Sequence, residues 1–389
     1  MSTAVPALPH EELERTSRQL NLPGFGLAEQ ERLYAAHVLV IGAGGLGCPV
    51  LQALAAAGVG EITVFDDDTV ALTNLHRQIL FGQADIGRPK VTVAAERLRE
   101  LQPSIAVHPV AERLTAATIL ERVEGTNLLI DATDTFSTKF LAADAAEITG
   151  TALVWGSVLR FRGDVALWWS GPGAPEGGVG LRDLFPIQPH PESSPDCATA
   201  GVLGVTTSVV GGLMATEAIR FLSGISHDGS TYDEVGRLHS YDALAATLRS
   251  YRVSPDPARA PVTTLGSYEA ACAALPPVSG SPGRTGQDLI DALAAGDAYP
   301  LDVREVHEKL LLDLPYTGAH LPMSEIAHAE TTITTLPAGD VVVYCAAGSR
   351  SATFVDQFRE FAADHGITLH SLPGGANRWA HSPAAPSHE

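Results

Sequence analysis

The chain has 389 residues, 45% of them hydrophobic and 18% charged, and carries a net charge of −20. That length suggests two domains, and the composition excludes a disordered or fibrous chain. The acidity argues against a general nucleic-acid or membrane-surface binder. Four cysteines are too few for a disulfide scaffold and fit a reducing cytoplasm. No run of 18 apolar residues occurs, so no membrane span is expected. The first 20 residues have no apolar stretch after a basic region, so they do not read as a signal peptide.

Residues 1–31 are polar, with a helix expected around Glu11–Leu20. HVLVI from His37 reads as a buried strand, GAGGLG as a turn, and CPVLQALAAAGVG as a helix closed by Gly58. EITVFD is a second strand, which makes a βαβ unit with parallel strands. NLLIDATD is a further buried strand ending in acids, and TALVWGSV and GDVALWW continue the sheet. Residues 171–200 are rich in Gly, Pro and Ser and are too long for a simple connector, so they read as an active-site crossover. TTSVVGGLMATEAIRFLSG is a helix with Gly224 past its end. Composition shifts after Tyr251, and the Pro-rich residues 253–284 read as a linker. From Thr285 a smaller α/β unit begins, with strands at YPLDV, DVVVYC and ITLHSL and helices at QDLIDALAAG and SATFVDQFREFAADHG. The expected domains are therefore 1–252 and 285–389.

Gly42, Gly44 and Gly47 form G-x-G-x-x-G between a strand and a helix, with Gly45 inside the turn. Glycine lets the backbone approach a phosphate, and the helix N-terminus supplies oriented N–H groups. Asp66 ends the next strand, where a carboxylate can accept hydrogen bonds from ribose hydroxyls. These features alone suit an NAD-dependent oxidoreductase, and that reading stays open as the alternative. Asn74, Arg77, Gln78 and Lys90 then add two cations and two amides, more positive charge than a nicotinamide pyrophosphate needs and better suited to a triphosphate. Asp131 and Asp134 end another strand at the same edge, an acidic pair that suits Mg²⁺ bridging phosphate oxygens.

GAGGLG, the acids at 66–68, NLHRQ, GRPK and DATD, in this order and with SRQL at 17–20, resemble the MoeB/ThiF family of the ubiquitin-activating-enzyme superfamily. The resemblance covers about residues 14–252. It implies a Rossmann-like ATP-binding domain with a mixed, mainly parallel sheet. It also implies ATP-dependent adenylation of the C-terminal glycine of a small ubiquitin-like sulfur carrier ending in Gly-Gly. Carried over by position, Asp66 holds the ribose, Asn74 and Arg77 contact the phosphates, Lys90 binds the β and γ phosphates, and Asp134 holds Mg²⁺. Arg18 resembles an arginine that such enzymes place in the partner subunit's ATP site, which implies a homodimer. The family usually binds a structural zinc through two C-x-x-C pairs. The corresponding stretches here, 177–185 and 254–262, contain no cysteine, so no zinc site is expected. Some members fused to a sulfurtransferase also lack these pairs. Thr135 stands where Asn commonly follows the acid.

Cys345 sits in CAAGSRS after a strand and before a helix, beside Arg350. Converging N–H groups and a nearby guanidinium favour a thiolate or persulfide. This loop, with LDVRE, GAHLP and LPGGANRW, resembles the rhodanese active site over about residues 285–382, which implies a small rhodanese-like α/β domain that takes sulfur from a donor onto Cys345. Residues 305–318 depart from that family's usual pattern. Cys197 matches a cysteine that forms a covalent link to the carrier in some MoeB/ThiF relatives, with a spectator cysteine as the other reading. Cys48 reads as packing, as does Cys272 in the linker. His76, His108 and His239 read as ordinary polar or packing residues. Together the two resemblances imply a fused enzyme that makes a carrier thiocarboxylate for molybdopterin, thiamine or another thio-metabolite.

Overall fold

The computed structural model describes residues 8–189, 201–225, 234–268 and 284–380. The chain divides into two compact units, Met1–Ala271 and Cys272–Glu389.

The first unit is built on an eight-stranded sheet, in the order β3-β2-β1-β4-β5-β6-β7-β8. The strands are β1 (His37–Ile41), β2 (Glu61–Phe65), β3 (Ala106–Val110), β4 (Leu128–Asp131), β5 (Leu153–Leu159), β6 (Arg162–Trp168), β7 (Arg237–Asp242) and β8 (Thr247–Arg252). From β3 to β5 all pairings are parallel, and from β5 to β8 all are antiparallel. The mixed, mainly parallel α/β sheet anticipated from the sequence is present. The expected N-terminal helix is two pieces, α1 (His10–Arg15) and a turn over Ser17–Leu20, broken at Thr16, and α2 (Leu27–Tyr34) comes next.

Side chains of β1 alternate between two cores. Val38 and Val40 pack with α3 (Gly47–Ala57) and α4 (Lys90–Leu101) through Leu51, Leu54 and Val91. Leu39 and Ile41 face the other way, against Phe140 and Leu141 of α5 (Phe136–Thr149). A strand covered on both faces must be apolar throughout, which is why HVLVI shows no polar alternation. Each such buried aliphatic side chain contributes about 1.5–3 kcal/mol. The long helix α6 (Gly204–Ser223) buries Val210 and Met214 in the first of these cores.

The second unit has a four-stranded parallel sheet, in the order β10-β9-β11-β12: β9 (Tyr299–Asp302), β10 (Ala319–His320), β11 (Gly339–Tyr344) and β12 (Ile367–Ser371). Helices α7 (Gly286–Ala295), α8 (Val306–Leu311) and α9 (Ser349–Asp364) accompany it.

The stretch 253–268, expected to be linker, lies against the first unit. Arg259 pairs with Glu147 and Asp183, and the Tyr268 hydroxyl donates to Asp144 at 2.5 Å. Tyr268 belongs to the second core and Leu265 packs against it. Proline content signalled a spacer, but one arginine and one tyrosine anchor this half. The remainder of the linker, 269–283, lies outside the described residues.

Candidate active sites

A cleft of about 260 Å³ opens at the carboxyl ends of β1 to β4. Each parallel strand delivers one wall, because successive crossover connections leave their loops at the same sheet edge. β1 leads into Gly42–Leu46, β2 into Asp66–Asp68, β3 into Glu112–Leu114 and β4 into Ala132–Thr135.

The glycine turn is shaped by sterics. Gly42 has φ +94°, a conformation that side chains other than glycine rarely adopt. A Cβ on Gly47 would run into the Gly42 carbonyl. Asp66 reaches back across the turn: its Oδ2 accepts from the Ala43 N–H at 2.8 Å and its Oδ1 from the Asp68 N–H at 2.9 Å. Burial pushes the Asp66 carboxyl above its ordinary value, opposed by Lys90 and the two N–H groups. Four lone-pair sites on a carboxylate leave room for hydroxyl donors.

Lys90 opens α4 and is buried, with its Nζ 2.8 Å from Asp68 Oδ2. Arg77 lines the cleft, its guanidinium donating to the Thr73 carbonyl at 3.1 Å. Asn74 lines it too, and its Oδ1 accepts from the Ala71 N–H. Gln78 is 3% exposed, and its buried Oε1 has no hydrogen-bond partner among the described residues. An orphaned buried acceptor is costly and rare. The glycine cradle and the two cations fit a polyanionic nucleotide, whereas the Gln78 oxygen needs a donor, which phosphate oxygens cannot supply.

The acidic pair separates into two roles. Asp134 is exposed and lines the cleft, whereas Asp131 is fully buried and turned away from it. Asp131 Oδ2 pairs with Lys139 Nζ at 3.1 Å, and its Oδ1 accepts from the Thr133 N–H and hydroxyl. The reading of both acids as metal ligands is corrected, since only Asp134 faces the cleft. A single carboxylate still fits Mg²⁺, which is commonly held by one or two carboxylates plus substrate phosphates.

Several lining residues escaped the sequence reading: Glu112, Arg113 and Leu114 after β3, Val158 on β5 and Thr207 on α6. The first three could have been found by asking which residues come directly after a third parallel strand. Arg18 is exposed and is not among the residues that line the cleft. Cys48 is fully buried on α3, and burial pushes its thiol up to about 12, which suits a packing residue. Cys197 and Cys272 lie outside the described residues.

No cysteine lies in residues 177–185 or 254–262. Ion pairs join those stretches instead. Arg259 Nε lies 2.9 Å from Asp183 Oδ1, and the Asp256 N–H donates to the same oxygen at 2.9 Å. Glu217, Glu234 and His239 bring donor atoms within 4.8 Å of one another. Arg220 and Arg237 already neutralise the two carboxylates of that cluster, which makes it a balanced ion network.

In the second unit, Cys345 comes directly after β11 and is fully buried. Its Sγ accepts from the Gly348 N–H at 3.0 Å, and Gly348 caps α9 with φ +103°. Arg350, in the first turn of α9, donates to both Glu308 oxygens at 2.8 and 2.5 Å. The two groups hold each other charged: the bond to Glu308 raises Arg350. Burial opposes ionisation of Glu308, but Arg350 and the Glu305 N–H leave its carboxyl below the ordinary value. The loop is closed from behind by the Ala376 N–H, which donates to the Cys345 carbonyl at 2.8 Å.

A sheet that is parallel through β5, with a glycine turn, an acid at the next strand end and cations over one cleft, defines a nucleotide-binding α/β enzyme. The ThiF family model matches residues 16–262, and the chain belongs to the ThiF family. It is 38% identical to the "Probable adenylyltransferase/sulfurtransferase MoeZ" of Mycobacterium tuberculosis, over 98% of this chain and 97% of that one. It is 45% identical to the "Sulfur carrier protein adenylyltransferase" of Thermus thermophilus, over 67% of this chain and 97% of that one. Among solved structures, E. coli MccB with ATP matches the fold with a TM-score of 0.53 at 22% identity, covering 64% of this chain and 75% of that one. The chain is thus an enzyme, an adenylyltransferase fused to a sulfurtransferase. The relatives give the oxidoreductase alternative no support. Among the described residues no helix is long and apolar enough to cross a membrane.

Proposed function

We propose that the first unit uses ATP to adenylate the C-terminal glycine of a small ubiquitin-like sulfur-carrier protein, and that the second unit delivers sulfur from Cys345 to give a carrier thiocarboxylate. The single observation that carries this reading is the cleft, where the glycine turn, Asp66, Arg77, Gln78 and Lys90 converge. The relatives' names, an adenylyltransferase of a sulfur carrier and an adenylyltransferase/sulfurtransferase, support the same pair of reactions.

ATP is a substrate here. Asp66 accepts its ribose hydroxyls. The turn N–H groups, Asn74 and Arg77 hold the α-phosphate, and Lys90 holds the β and γ phosphates. A carboxylate oxygen of the carrier attacks the α-phosphorus, the bond to the bridging oxygen breaks, and pyrophosphate leaves. The protein contributes alignment and positive charge and needs no nucleophile of its own. Asp134 would hold Mg²⁺, which when bound neutralises phosphate charge. The outer persulfide sulfur on Cys345 then attacks the acyl carbon and AMP departs, leaving an acyl disulfide. A thiol attacks the Cys345 sulfur, the S–S bond breaks, the thiocarboxylate leaves and the thiol ends as a disulfide with Cys345. Cys197 is a candidate for a covalent link to the carrier.

Arg18 is exposed outside its own cleft, which suits a role in the cleft of a second copy, and a homodimer is part of this proposal. Free thiols at Cys48 and Cys345 suit a reducing cytoplasm. The test is to incubate the protein with ATP and Gly-Gly-ended carriers and weigh the carrier. A gain equal to AMP, converted to a gain of sulfur when a donor is added, is expected. Nucleotide-independent sulfur transfer, or nicotinamide binding in place of ATP, would overturn the reading.

A further inference from the structure

Asp131 and Lys139 form an ion pair with side chains 0% and 3% exposed. Lys139 Nζ also donates to the Gly156 carbonyl at 2.6 Å and lies over the Trp155 ring at 5.4 Å. A pair this buried costs desolvation and adds little net stability compared with an apolar replacement. Its place in the chain suggests another use. The Asp131 carboxylate binds Thr133 through both its N–H (3.0 Å) and its hydroxyl (2.6 Å). Lys139 lies in the first turns of α5, and its N–H donates to the Thr135 carbonyl. One carboxylate thus fixes both the residue before Asp134 and the helix that starts two residues after it.

We infer that the buried Asp131–Lys139 pair is a positioning device, clamping the turn 132–135 so that Asp134 is held on the cleft wall. Neither residue lines the cleft; they act through Asp134. Two further bonds point to the same turn. The Ala132 N–H donates to the Ile41 carbonyl at 2.9 Å, and a Cβ on Gly42 would stand 3.1 Å from the Ala132 oxygen, so the turn abuts the glycine loop. A shift of this turn therefore moves the metal carboxylate relative to the phosphate cradle. The inference rests on the reading of Asp134 as the Mg²⁺ residue.

The test measures ATP affinity by calorimetry with and without Mg²⁺, so no carrier is needed. The variants are Asp134→Ala, Lys139→Met, Lys139→Arg and the double variant Asp131→Asn/Lys139→Met, which leaves no charge buried alone. Wild-type protein should bind ATP more tightly with Mg²⁺, and Asp134→Ala should lose that gain. The double variant should fold, bind metal-free ATP about as wild type does, and lose about 10- to 100-fold of the Mg²⁺-dependent gain, the scale for groups that orient a metal ligand. Lys139→Arg should restore most of it. If Lys139→Met fails to fold, the double variant carries the decision. A folded double variant with the full Mg²⁺ gain, beside an Asp134→Ala protein that has lost it, would overturn the clamp alone. An Asp134→Ala protein that keeps the gain would overturn the reading of Asp134, and the clamp with it.

Discussion

Lys90 Nζ lies 2.8 Å from Asp68 Oδ2, a contact between a side chain 5% exposed and one 70% exposed. A buried ammonium needs a counter-charge, and the nearer of its two stands in water, the other being the mostly buried Asp66 at 4.0 Å. An exposed carboxylate can give up its partner at small cost, so the contact suits a cation that changes hands when phosphate arrives.

Lys90→Met should lower carrier-dependent ATP–pyrophosphate exchange by about 10²- to 10³-fold, the scale for losing one preorganised charge contact. Asp68→Asn should keep the exchange and lower the ATP KM, because it removes a competitor for Lys90. Initial rates across an ATP series check both. Wild-type exchange by Lys90→Met would remove Lys90 from the phosphate site.

Arg259 joins two stretches 76 residues apart in sequence. It pairs with Glu147 and Asp183, whose side chains are 5% and 1% exposed. Asp183 is buried, which alone would raise its carboxyl, yet the bonds from Arg259, Asp256 and Gly180 set it below the ordinary value. Removing the arginine strands two buried carboxylates, so Arg259→Met should cost about 3 kcal/mol of stability. Purified protein should contain no stoichiometric zinc, and a chelator should leave the wild-type melting temperature unchanged. Elemental analysis and thermal melting decide the matter. One zinc per chain would show that ligands other than cysteine serve.

Glu217 gives a pH prediction. Burial pushes its carboxyl up to about 6, and Glu234 adds to the rise while Arg220 and Arg237 oppose it. A folded-state value above the unfolded 4.5 means that the unfolded chain loses its proton first as pH rises. Stability from this group is therefore fully present below about pH 4.5 and lost as pH rises to about 6, by ~2 kcal/mol. Glu217→Gln lacks that titration. The melting temperature of wild type relative to Glu217→Gln should fall across this window and be level above it. A constant difference across the window would show that Glu217 titrates normally.

The cleft was legible where local chemistry dictates the residue. Only glycine fits the turn at 42 and 47, and Asp66 and Lys90 sit where a strand ends and a helix begins. The division of labour between Asp131 and Asp134 was not legible, because it depends on a lysine eight residues on that turns inward beneath the sheet. The hairpin of β7 and β8 also went unread. Its strands are half-exposed and exposed throughout, so no apolar alternation marks them. Residues 253–268 looked like spacer because their hold on the first unit is a long-range ion pair, which leaves no periodic trace.

The two chemistries should separate cleanly by mutation. Every residue lining the nucleotide cleft falls between Ile41 and Thr207, within the first unit. Cys345 belongs to the second unit, where its sulfur accepts the Gly348 N–H at the start of a 16-residue helix. That N–H is a backbone donor already placed on the sulfur at the start of the helix. Cys345→Ala should therefore leave ATP–pyrophosphate exchange at the wild-type rate and abolish thiocarboxylate formation by this chain. Cys48→Ala should leave both unchanged, since its thiol is pushed up to about 12 and stays protonated at neutral pH. The measurement is carrier mass after incubation with ATP and thiosulfate, beside exchange rates for each variant. If Cys345→Ala still forms thiocarboxylate at the wild-type rate, the sulfur reaches the adenylate as free sulfide or from another cysteine. The Cys345 loop would then have no part in the transfer.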